Sequence, residues 1–382
     1  MRDQQRRPRM PRLGLQTVHR VLRPLVLVAV LAVGLTGCAV AAPQASTPAS
    51  APAGPLVPLN ELDLLEDPAS YVGESTALLR DEPLDVLPTP RQELPVTVVS
   101  HDLDGDREVT VTSTERIVPM DISGSIAATV FGLGFGDRVV GRDVSTTFAE
   151  AADLPVVTSN GHTVNAESVL ALRPTLVLTD GSIGPVDVVL QLRDAGVPVV
   201  FVDTEPSLDG VGELARQVGA ALGAPAAGEE LAGILTAQID EKVQEIAAIV
   251  PERPLRMMFL YLRGTSGIYY LFGEESGADV LIEALGGVDV AAEVGLEGMR
   301  PMTDEAMIAA DPDLILVMTD GLASVGGVDG LLESKPAIAL TKAGEHRRFV
   351  DMADGQVLSF GPRTADVLDA LARAIYAPST AG

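Results

Sequence analysis

The chain contains the stretch Asn165-Ala-Glu-Ser-Val-Leu-Ala-Leu-Arg-Pro-Thr-Leu-Val-Leu178 and repeats it imperfectly as Thr303-Asp-Glu-Ala-Met-Ile-Ala-Ala-Asp-Pro-Asp-Leu-Ile-Leu316. One offset of 138 residues aligns Glu167 with Glu305, and both copies run on into Thr-Asp-Gly. A repeat of this kind indicates that one structural unit occurs twice. It therefore predicts two similar lobes with a cleft between them, and such clefts are common sites for small ligands.

The first 38 residues are predicted to be an export signal that ends in a lipidation site. Seven arginines precede an apolar run from Leu25 to Leu35, which closes on Leu35-Thr-Gly-Cys38. The run is too short to cross a bilayer comfortably, and its ending resembles a bacterial lipobox. A plain secretory signal or a short membrane helix is the alternative. The lipobox resemblance implies that Cys38 carries a lipid and anchors the chain to the outer face of the cell membrane.

Composition limits the classes of partner that the chain can have. Cys38 is the only cysteine, so its lipidation would leave no thiol for a disulfide or a thiolate metal site. Removing the seven arginines and one aspartate of the signal changes the formal charge from −26 to about −32, which disfavours nucleic-acid binding. No later apolar segment reaches membrane-spanning length. These features are typical of an exported soluble body held at the membrane by lipid alone.

Patterning divides the rest of the chain into five segments. Residues 39–55 are rich in Ala, Pro and Ser and predict a flexible tether, and residues 56–93 form an N-terminal extension without a clear pattern. In residues 94–224, short β-branched runs alternate with helix-length stretches, as in a parallel α/β lobe. Residues 225–250 predict one long amphipathic helix, and residues 251–376 repeat the α/β pattern. The predicted fold class is therefore α/β, with two Rossmann-like lobes joined by one long helix and a ligand cleft between the lobes.

The lipobox, the repeated segment and the linking helix together resemble the helical-backbone class of substrate-binding proteins for ABC importers, over about residues 94–376. The resemblance implies non-catalytic capture of a ferric siderophore, haem or cobalamin, and delivery to a permease dimer with its ATPase. In that class one exposed acid per lobe docks on the permease, and Glu167 and Glu305 match those positions. An acid in a first helical turn also has a simpler explanation in the helix dipole. No Gly-x-Ser-x-Gly, His-Glu-x-x-His or P-loop motif supports an enzyme.

His162 is the histidine best placed for the cleft. It lies in Ser159-Asn-Gly-His-Thr-Val-Asn165, between a predicted strand at 156–157 and the first repeat helix. The carboxyl ends of strands in an open α/β sheet border the ligand crevice. The other histidines are His19 in the signal, His101 in a β-hairpin that the alternation from Val96 onward predicts, and His346 beside two arginines at a turn. Taken alone, His162 suits a helix-capping role at least as well as a ligand role.

Tyr261 and Arg263 end the first strand of the C-terminal lobe, and strand alternation places them on one face. We expect that end of the strand to open onto the same cleft. A neighbouring cation favours the phenolate over the phenol. Tyrosinate and imidazole across a cleft would supply the two axial ligands of ferric haem, and the guanidinium would also suit a propionate. Met318, at the end of another predicted strand, is expected to form part of the pocket wall.

The motifs Gly-His-Thr-Val-Asn and Tyr-Leu-Arg-Gly, 99 residues apart from His162 to Tyr261, resemble the haem-binding lipoproteins of actinobacterial haem importers, the HmuT group. The resemblance implies that His162 and Tyr261 ligate the iron of bound haem, with Arg263 close to the tyrosine, in a protein that acts as a monomer. Only 3% of the residues are aromatic, although aliphatic and Met side chains also cover macrocycles. The alternatives are a ferric siderophore or cobalamin in the same fold, or a surface haem enzyme, which would need an open iron position.

Overall fold

The computed structural model describes residues 56–80, 83–84, 87–159 and 161–378 of the chain. The predicted signal, the lipidation site Cys38 and the tether lie outside these ranges. Within them, no helix is both long enough and apolar enough to cross a bilayer. The strands are β1 (Ser75–Ala77), β2 (Val96–Asp102), β3 (Gly105–Val111), β4 (Ile117–Met120), β5 (Thr158–Ser159), β6 (Thr163–Val164), β7 (Leu176–Thr179), β8 (Val199–Phe201), β9 (Arg256–Arg263), β10 (Ile268–Phe272), β11 (Val288–Asp289), β12 (Met299–Pro301), β13 (Leu314–Met318) and β14 (Phe349–Met352). The helices are α1 (Ser125–Gly132), α2 (Ala166–Ala171), α3 (Val186–Asp194), α4 (Leu208–Ala221), α5 (Pro225–Ala247), α6 (Ala278–Ala284), α7 (Val290–Glu293), α8 (Asp304–Ala310), α9 (Thr319–Ala323), α10 (Gly327–Ser334), α11 (Pro336–Ala339), α12 (Lys342–Glu345) and α13 (Thr364–Tyr376).

The N-terminal lobe is built around a parallel sheet in the order β4, β7, β8. Ile117 lies opposite Leu176, and Val177 lies opposite Val199. Every residue of these three strands is buried, as expected for a parallel sheet that is covered on both faces. Successive side chains enter two different apolar cores, since Ile117 and Leu176 belong to one and Val177 belongs to the other.

The C-terminal lobe contains a seven-stranded mixed sheet in the order β1, β14, β13, β9, β10, β12, and β11 also pairs with β9. The first four of these strands run parallel, whereas β10 and β12 run antiparallel to their neighbours. The two copies of the sequence repeat lead into β7 and β13, and each of these strands is flanked by a parallel strand on both sides. The predicted two-lobed α/β class is therefore confirmed.

One helix, α5, connects the lobes and packs into both of their cores. Leu231, Leu235 and Ile239 belong to the N-terminal core, whereas Ile246 belongs to the C-terminal core. Val243 lies between them and packs against both. The 23 residues of α5 span about 35 Å. The two lobes are thus held by continuous apolar packing along one rigid element.

An ion-pair network also ties α5 to α13. Lys242 Nζ donates to Asp369 Oδ1 at 2.8 Å, and Arg373 Nε donates to Asp369 Oδ2 at 2.6 Å. Burial alone would raise the pKa of Asp369, but the hydrogen bonds from Arg373 and Lys242 outweigh it and leave that pKa below its usual range. Asp369 therefore stays charged and links the connecting helix to the last helix of the chain.

The N-terminal extension packs onto the C-terminal lobe. β1 pairs in parallel with β14, with Ser75 opposite Val350, and Leu59 is buried in the C-terminal core. Thr76 Oγ1 also donates to Asp351 Oδ1, 275 residues away in sequence. Sequence patterning assigns no fold to this segment, because a strand of three residues is defined by its distant partner rather than by its own periodicity.

Arg348 joins the extension to β14 and α13. The side chain is buried, and its guanidinium donates to the backbone oxygens of Ala374 and Ile375 at 2.9 and 2.8 Å and to Ser75 Oγ at 2.8 Å. Burial lowers the pKa of Arg348 to about 10. The two carbonyls lie in the last turn of α13, where backbone acceptors lack partners within the helix and a cation is favourable.

Replacing Arg348 with Met should lower the free energy of unfolding by roughly 2–4 kcal/mol, because buried carbonyls of α13 and the hydroxyl of Ser75 lose their donor. The matched control is Arg347→Met, since Arg347 is half-exposed and forms ion pairs with the exposed carboxylates of Asp329 and Glu74. The control should lower the free energy of unfolding by less than about 1 kcal/mol. Urea denaturation of the three proteins measures both values. Equal losses for the two variants would contradict the role assigned to Arg348.

Candidate functional site

The carboxyl ends of β9, β13 and β14 bring three side chains together around the guanidinium of Arg263. The guanidinium carbon of Arg263 lies 4.6 Å from the ring centroid of Tyr261. Arg263 Nη2 lies 3.7 Å from Met318 Sδ and 2.6 Å from Asp354 Oδ2. The structure therefore places three of the predicted site residues, Tyr261, Arg263 and Met318, in one cluster.

An aromatic stack orients the phenol of Tyr261. Alternation along β9 puts Phe259 and Tyr261 on the same face, and the ring of Phe272 from β10 stacks on both. The centroids of Tyr261 and Phe272 are 5.7 Å apart, and their planes differ by 19°. Tyr270 lies opposite Tyr261 across the two strands. The ring of Phe272 thus helps to fix the orientation of Tyr261.

Asp354 is a site residue that the sequence analysis missed. It follows the end of β14 by two residues, and its Oδ1 accepts a hydrogen bond of 2.9 Å from the backbone N–H of Asp320 in the first turn of α9. The rule that strand carboxyl ends border the ligand crevice, which selected His162 and Met318, also applies to an acid just beyond β14. That rule, applied to every strand, is the signal that would have found Asp354.

His162 lies in the N-terminal lobe, in the turn of a short hairpin formed by β5 and β6. The predicted strand at 156–157 makes only a single bridge, between Val156 and Arg142. Gly161 precedes the histidine with a φ of 83°, a left-handed conformation that favours glycine at this turn. The imidazole is exposed and makes no hydrogen bond or ion pair with the rest of the described chain. It is therefore free to bind a ligand.

The helix-capping alternative for His162 is wrong. The N-cap of α2 is Asn165, whose side-chain oxygen accepts from the backbone N–H of Ser168 at 2.9 Å. The equivalent cap of α8 is Thr303, which accepts from the backbone N–H of Ala306. Capping is thus carried out by the first residue of each repeat copy, and His162 has no part in it.

The segment that follows Asp354 packs against the N-terminal lobe. Phe360 belongs to the N-terminal apolar core. A Cβ on Gly355 would come within 3.0 Å of the backbone oxygen of Ser145, and a Cβ on Gly361 would come equally close to the Cβ of Ser125. A cavity of about 30 Å³ remains between these surfaces. The lobes are thus in close contact beside the Tyr261–Arg263 cluster.

Asp121, at the end of β4, and Asp143 form a buried pair of acidic residues, which is the second feature that sequence patterns did not indicate. Burial, with smaller contributions from Asp143 and Asp180, raises the pKa of Asp121 to about 7. Asp121 accepts hydrogen bonds from the backbone N–H of Ser125 at 2.9 Å and of Ile126 at 3.3 Å. It thereby holds the start of α1, which is a structural role rather than a ligand role.

The two repeated glutamates occupy equivalent positions. Glu167 lies in the first turn of α2 and Glu305 in the first turn of α8. Both are exposed, and neither carboxylate has a hydrogen-bond or ion-pair partner within the described chain. The structure therefore presents an exposed, unpaired acid at the same repeat position of each lobe.

Comparison with known proteins places the fold. Residues 122–354 match a family model described as periplasmic binding protein. A crystal structure of heme binding protein HmuT is 41% identical, with a TM-score of 0.75, and the match covers 81% of this chain and 99% of that one. Three HmuT variants, in which one arginine, one histidine or one tyrosine is replaced by alanine, match at 40 or 41% identity with TM-scores of 0.75 or 0.77.

Two curated relatives have different descriptions. The uncharacterized ABC transporter substrate-binding lipoprotein YvrC of Bacillus subtilis (strain 168) is 26% identical over 75% of this chain and 88% of its own length. A cobalamin-binding protein of Halobacterium salinarum is 32% identical over 53% of each chain. The matched family and these relatives are binding proteins by their descriptions. The predicted resemblance to importer binding proteins of the HmuT group is confirmed.

Proposed function

The chain belongs to the periplasmic binding protein family, and from this premise we propose that it captures ferric haem between its lobes and delivers it to an ABC importer. It acts as a lipid-anchored monomer outside the cytoplasm and catalyses no reaction. His162 and Tyr261 are the axial ligands of the iron. Arg263 and Met318 line the haem site beside Tyr261.

One observation carries this proposal. In HmuT, the histidine and the tyrosine that the variants replace are 99 positions apart, and the replaced arginine follows the tyrosine by two. His162, Tyr261 and Arg263 have the same spacings in this chain. The structure adds that the guanidinium of Arg263 lies against the ring of Tyr261.

The chemistry of the cluster suits ferric haem. A phenolate is a hard anionic ligand that matches ferric iron, and the exposed imidazole of His162 has no partner to lose when it binds. With both axial positions filled, the iron would have no open position for a substrate. This argues for a carrier and against the alternative of a surface haem enzyme.

Cobalamin is the second candidate ligand, because one relative is described as a cobalamin-binding protein. That match spans about half of each chain, whereas the HmuT match spans most of both. Tyr261 separates the two ligands, since a phenolate beside a cation suits ferric iron. A ferric siderophore would need neither His162 nor Tyr261 as a direct ligand.

Titration of the purified protein with haem should give a Soret band that saturates at one haem per chain. Tyr261→Phe and His162→Ala should each change the spectrum and weaken binding by about ten-fold or more, because each removes one iron ligand. Tyr269→Phe is the matched control, since Tyr269 packs into the core on the opposite face of the sheet, under Lys335. Light scattering of the same sample should give the mass of one chain.

Two results of this titration would contradict the proposal. The first is a wild-type protein that gives no Soret band with haem but binds cobalamin or a ferric siderophore. The second is a haem spectrum that neither Tyr261→Phe nor His162→Ala changes.

We also propose that Glu167 and Glu305 dock the protein on the two permease subunits. The proposal is supported by their equivalent positions in the two lobes and by the exposure of both carboxylates without a partner in the described chain. A dimeric permease would present a cationic group to each lobe. Because these exposed acids are unpaired, they can form such contacts without breaking an existing ion pair.

Replacing both Glu167 and Glu305 with Arg should lower haem uptake by about ten-fold or more, because like charges would then meet at the docking surface. Haem affinity measured by titration should stay unchanged. Glu230→Arg, at an exposed position on α5, is the matched control for an added positive charge. Uptake into proteoliposomes that contain the cognate importer measures the effect. Undiminished uptake by the double variant would show that these residues do not dock.

We further propose that lipid on Cys38 anchors the protein to the membrane. A relative that matches 75% of this chain is described as a lipoprotein, which supports the lipobox interpretation. Cys38→Ala should move the protein from the membrane fraction to the soluble fraction of cells without changing haem binding. If the Cys38→Ala variant remains in the membrane fraction, the assignment of Cys38 as the lipid anchor is contradicted.

A further inference from the structure

We propose that Asp354 is a positioning residue: it is the counter-ion that holds Arg263 in this structure, and bound haem takes the guanidinium away from it. The inference rests on the proposed function, because Arg263 is assigned to the haem site there. The competing anions are the iron-bound phenolate of Tyr261 and the haem propionates. Asp354 therefore opposes haem retention and favours haem release.

The hydrogen bonds of Arg263 show which anion holds it in this structure. Nη1 donates to the backbone oxygen of Leu262 at 2.9 Å, and Nη2 faces both Asp354 and Met318. The guanidinium meets Tyr261 through the face of the ring, and no hydrogen bond joins it to the phenol oxygen in the described chain. The charge of Arg263 is thus directed at Asp354 rather than at the phenol oxygen.

Asp354 is itself held in place from two sides. Its Oδ1 accepts from the backbone N–H of Asp320, while its Oδ2 faces Arg263. The next residue, Gly355, packs so closely against Ser145 that there is no room for a side chain without movement. The carboxylate of Asp354 therefore keeps its position when the guanidinium turns away, and it is ready to recapture Arg263 once haem leaves.

Partial burial strengthens the ion pair between Arg263 and Asp354. The side chains of Arg263 and Asp354 are 30% and 20% exposed, so water screens the pair only in part. Asp354 and an iron-bound phenolate of Tyr261 would compete for the same positive charge. Removing the negative charge of Asp354 should therefore strengthen the iron–phenolate bond, whereas structural damage would weaken it.

The test is the rate at which the haem-loaded protein transfers its haem to excess apomyoglobin. Asp354→Asn keeps the acceptor for the Asp320 N–H, removes the charge, and should slow the transfer about three-fold. Asp320→Asn is the matched control, because it removes a neighbouring exposed carboxylate that Arg263 does not contact, and its rate should equal that of the wild type. In an Arg263→Ala background, Asp354→Asn should have no further effect, because its partner is gone.

The outcomes separate this inference from the proposed function. If the wild type binds no haem, the proposed function and the role of Asp354 are both overturned. If the wild type binds haem through Tyr261 but Asp354→Asn transfers haem at the wild-type rate or faster, only the role of Asp354 is overturned. If Asp354→Asn still slows the transfer about three-fold in the Arg263→Ala background, the role of Asp354 is overturned as well. Thermal melting of each apoprotein checks that the folds are equally stable.

Discussion

The packing of α5 into both apolar cores is the constraint on which the site depends. Leu231 anchors this helix in one lobe and Ile246 anchors it in the other, so the lobes cannot swing apart without breaking apolar contacts. The pair of Asp369 with Lys242 adds a charged link at the C-terminal end of the helix. A helical connection of this kind implies limited closure around a ligand. Affinity must therefore come from groups that are already in place before the ligand arrives.

Tyr261 is the clearest example of such preorganisation, and it is in contact with Arg263. The guanidinium of Arg263 contacts the ring of Tyr261, the sulfur of Met318 and the carboxylate of Asp354 at once. The aromatic stack on Phe272 fixes the ring that it touches. One cation thus serves a ligand residue and a competing acid, and the balance between them sets how tightly an anionic ligand complex is held. A carrier must release its cargo, so an arrangement that limits affinity is as useful as one that creates it.

Local pattern predicted what depends on local sequence, and contacts between distant segments account for the rest. Alternation along Arg256–Arg263 placed Tyr261 and Arg263 on one face, and the repeat identified β7 and β13 as equivalent strands. The ion pair of Asp354 with Arg263 escaped prediction because the two residues are 91 positions apart in the sequence and only the sheet order brings them together. The pairing of β1 with β14 escaped for the same reason. A strand as short as β1 is identified by its pairing partner. When that partner is distant in the sequence, the residues of the strand itself show no periodic pattern.

In the proposed complex, one imidazole from the N-terminal lobe and one phenolate from the C-terminal lobe hold the same iron. A crystal structure of the haem complex tests it most directly. We expect a single haem between the lobes, with His162 and Tyr261 on opposite faces of the ring within coordination distance of the iron. Arg263 should be turned from Asp354 towards the phenolate or a propionate. A haem whose iron is bound by neither residue, or a haem outside the space between the lobes, would contradict it.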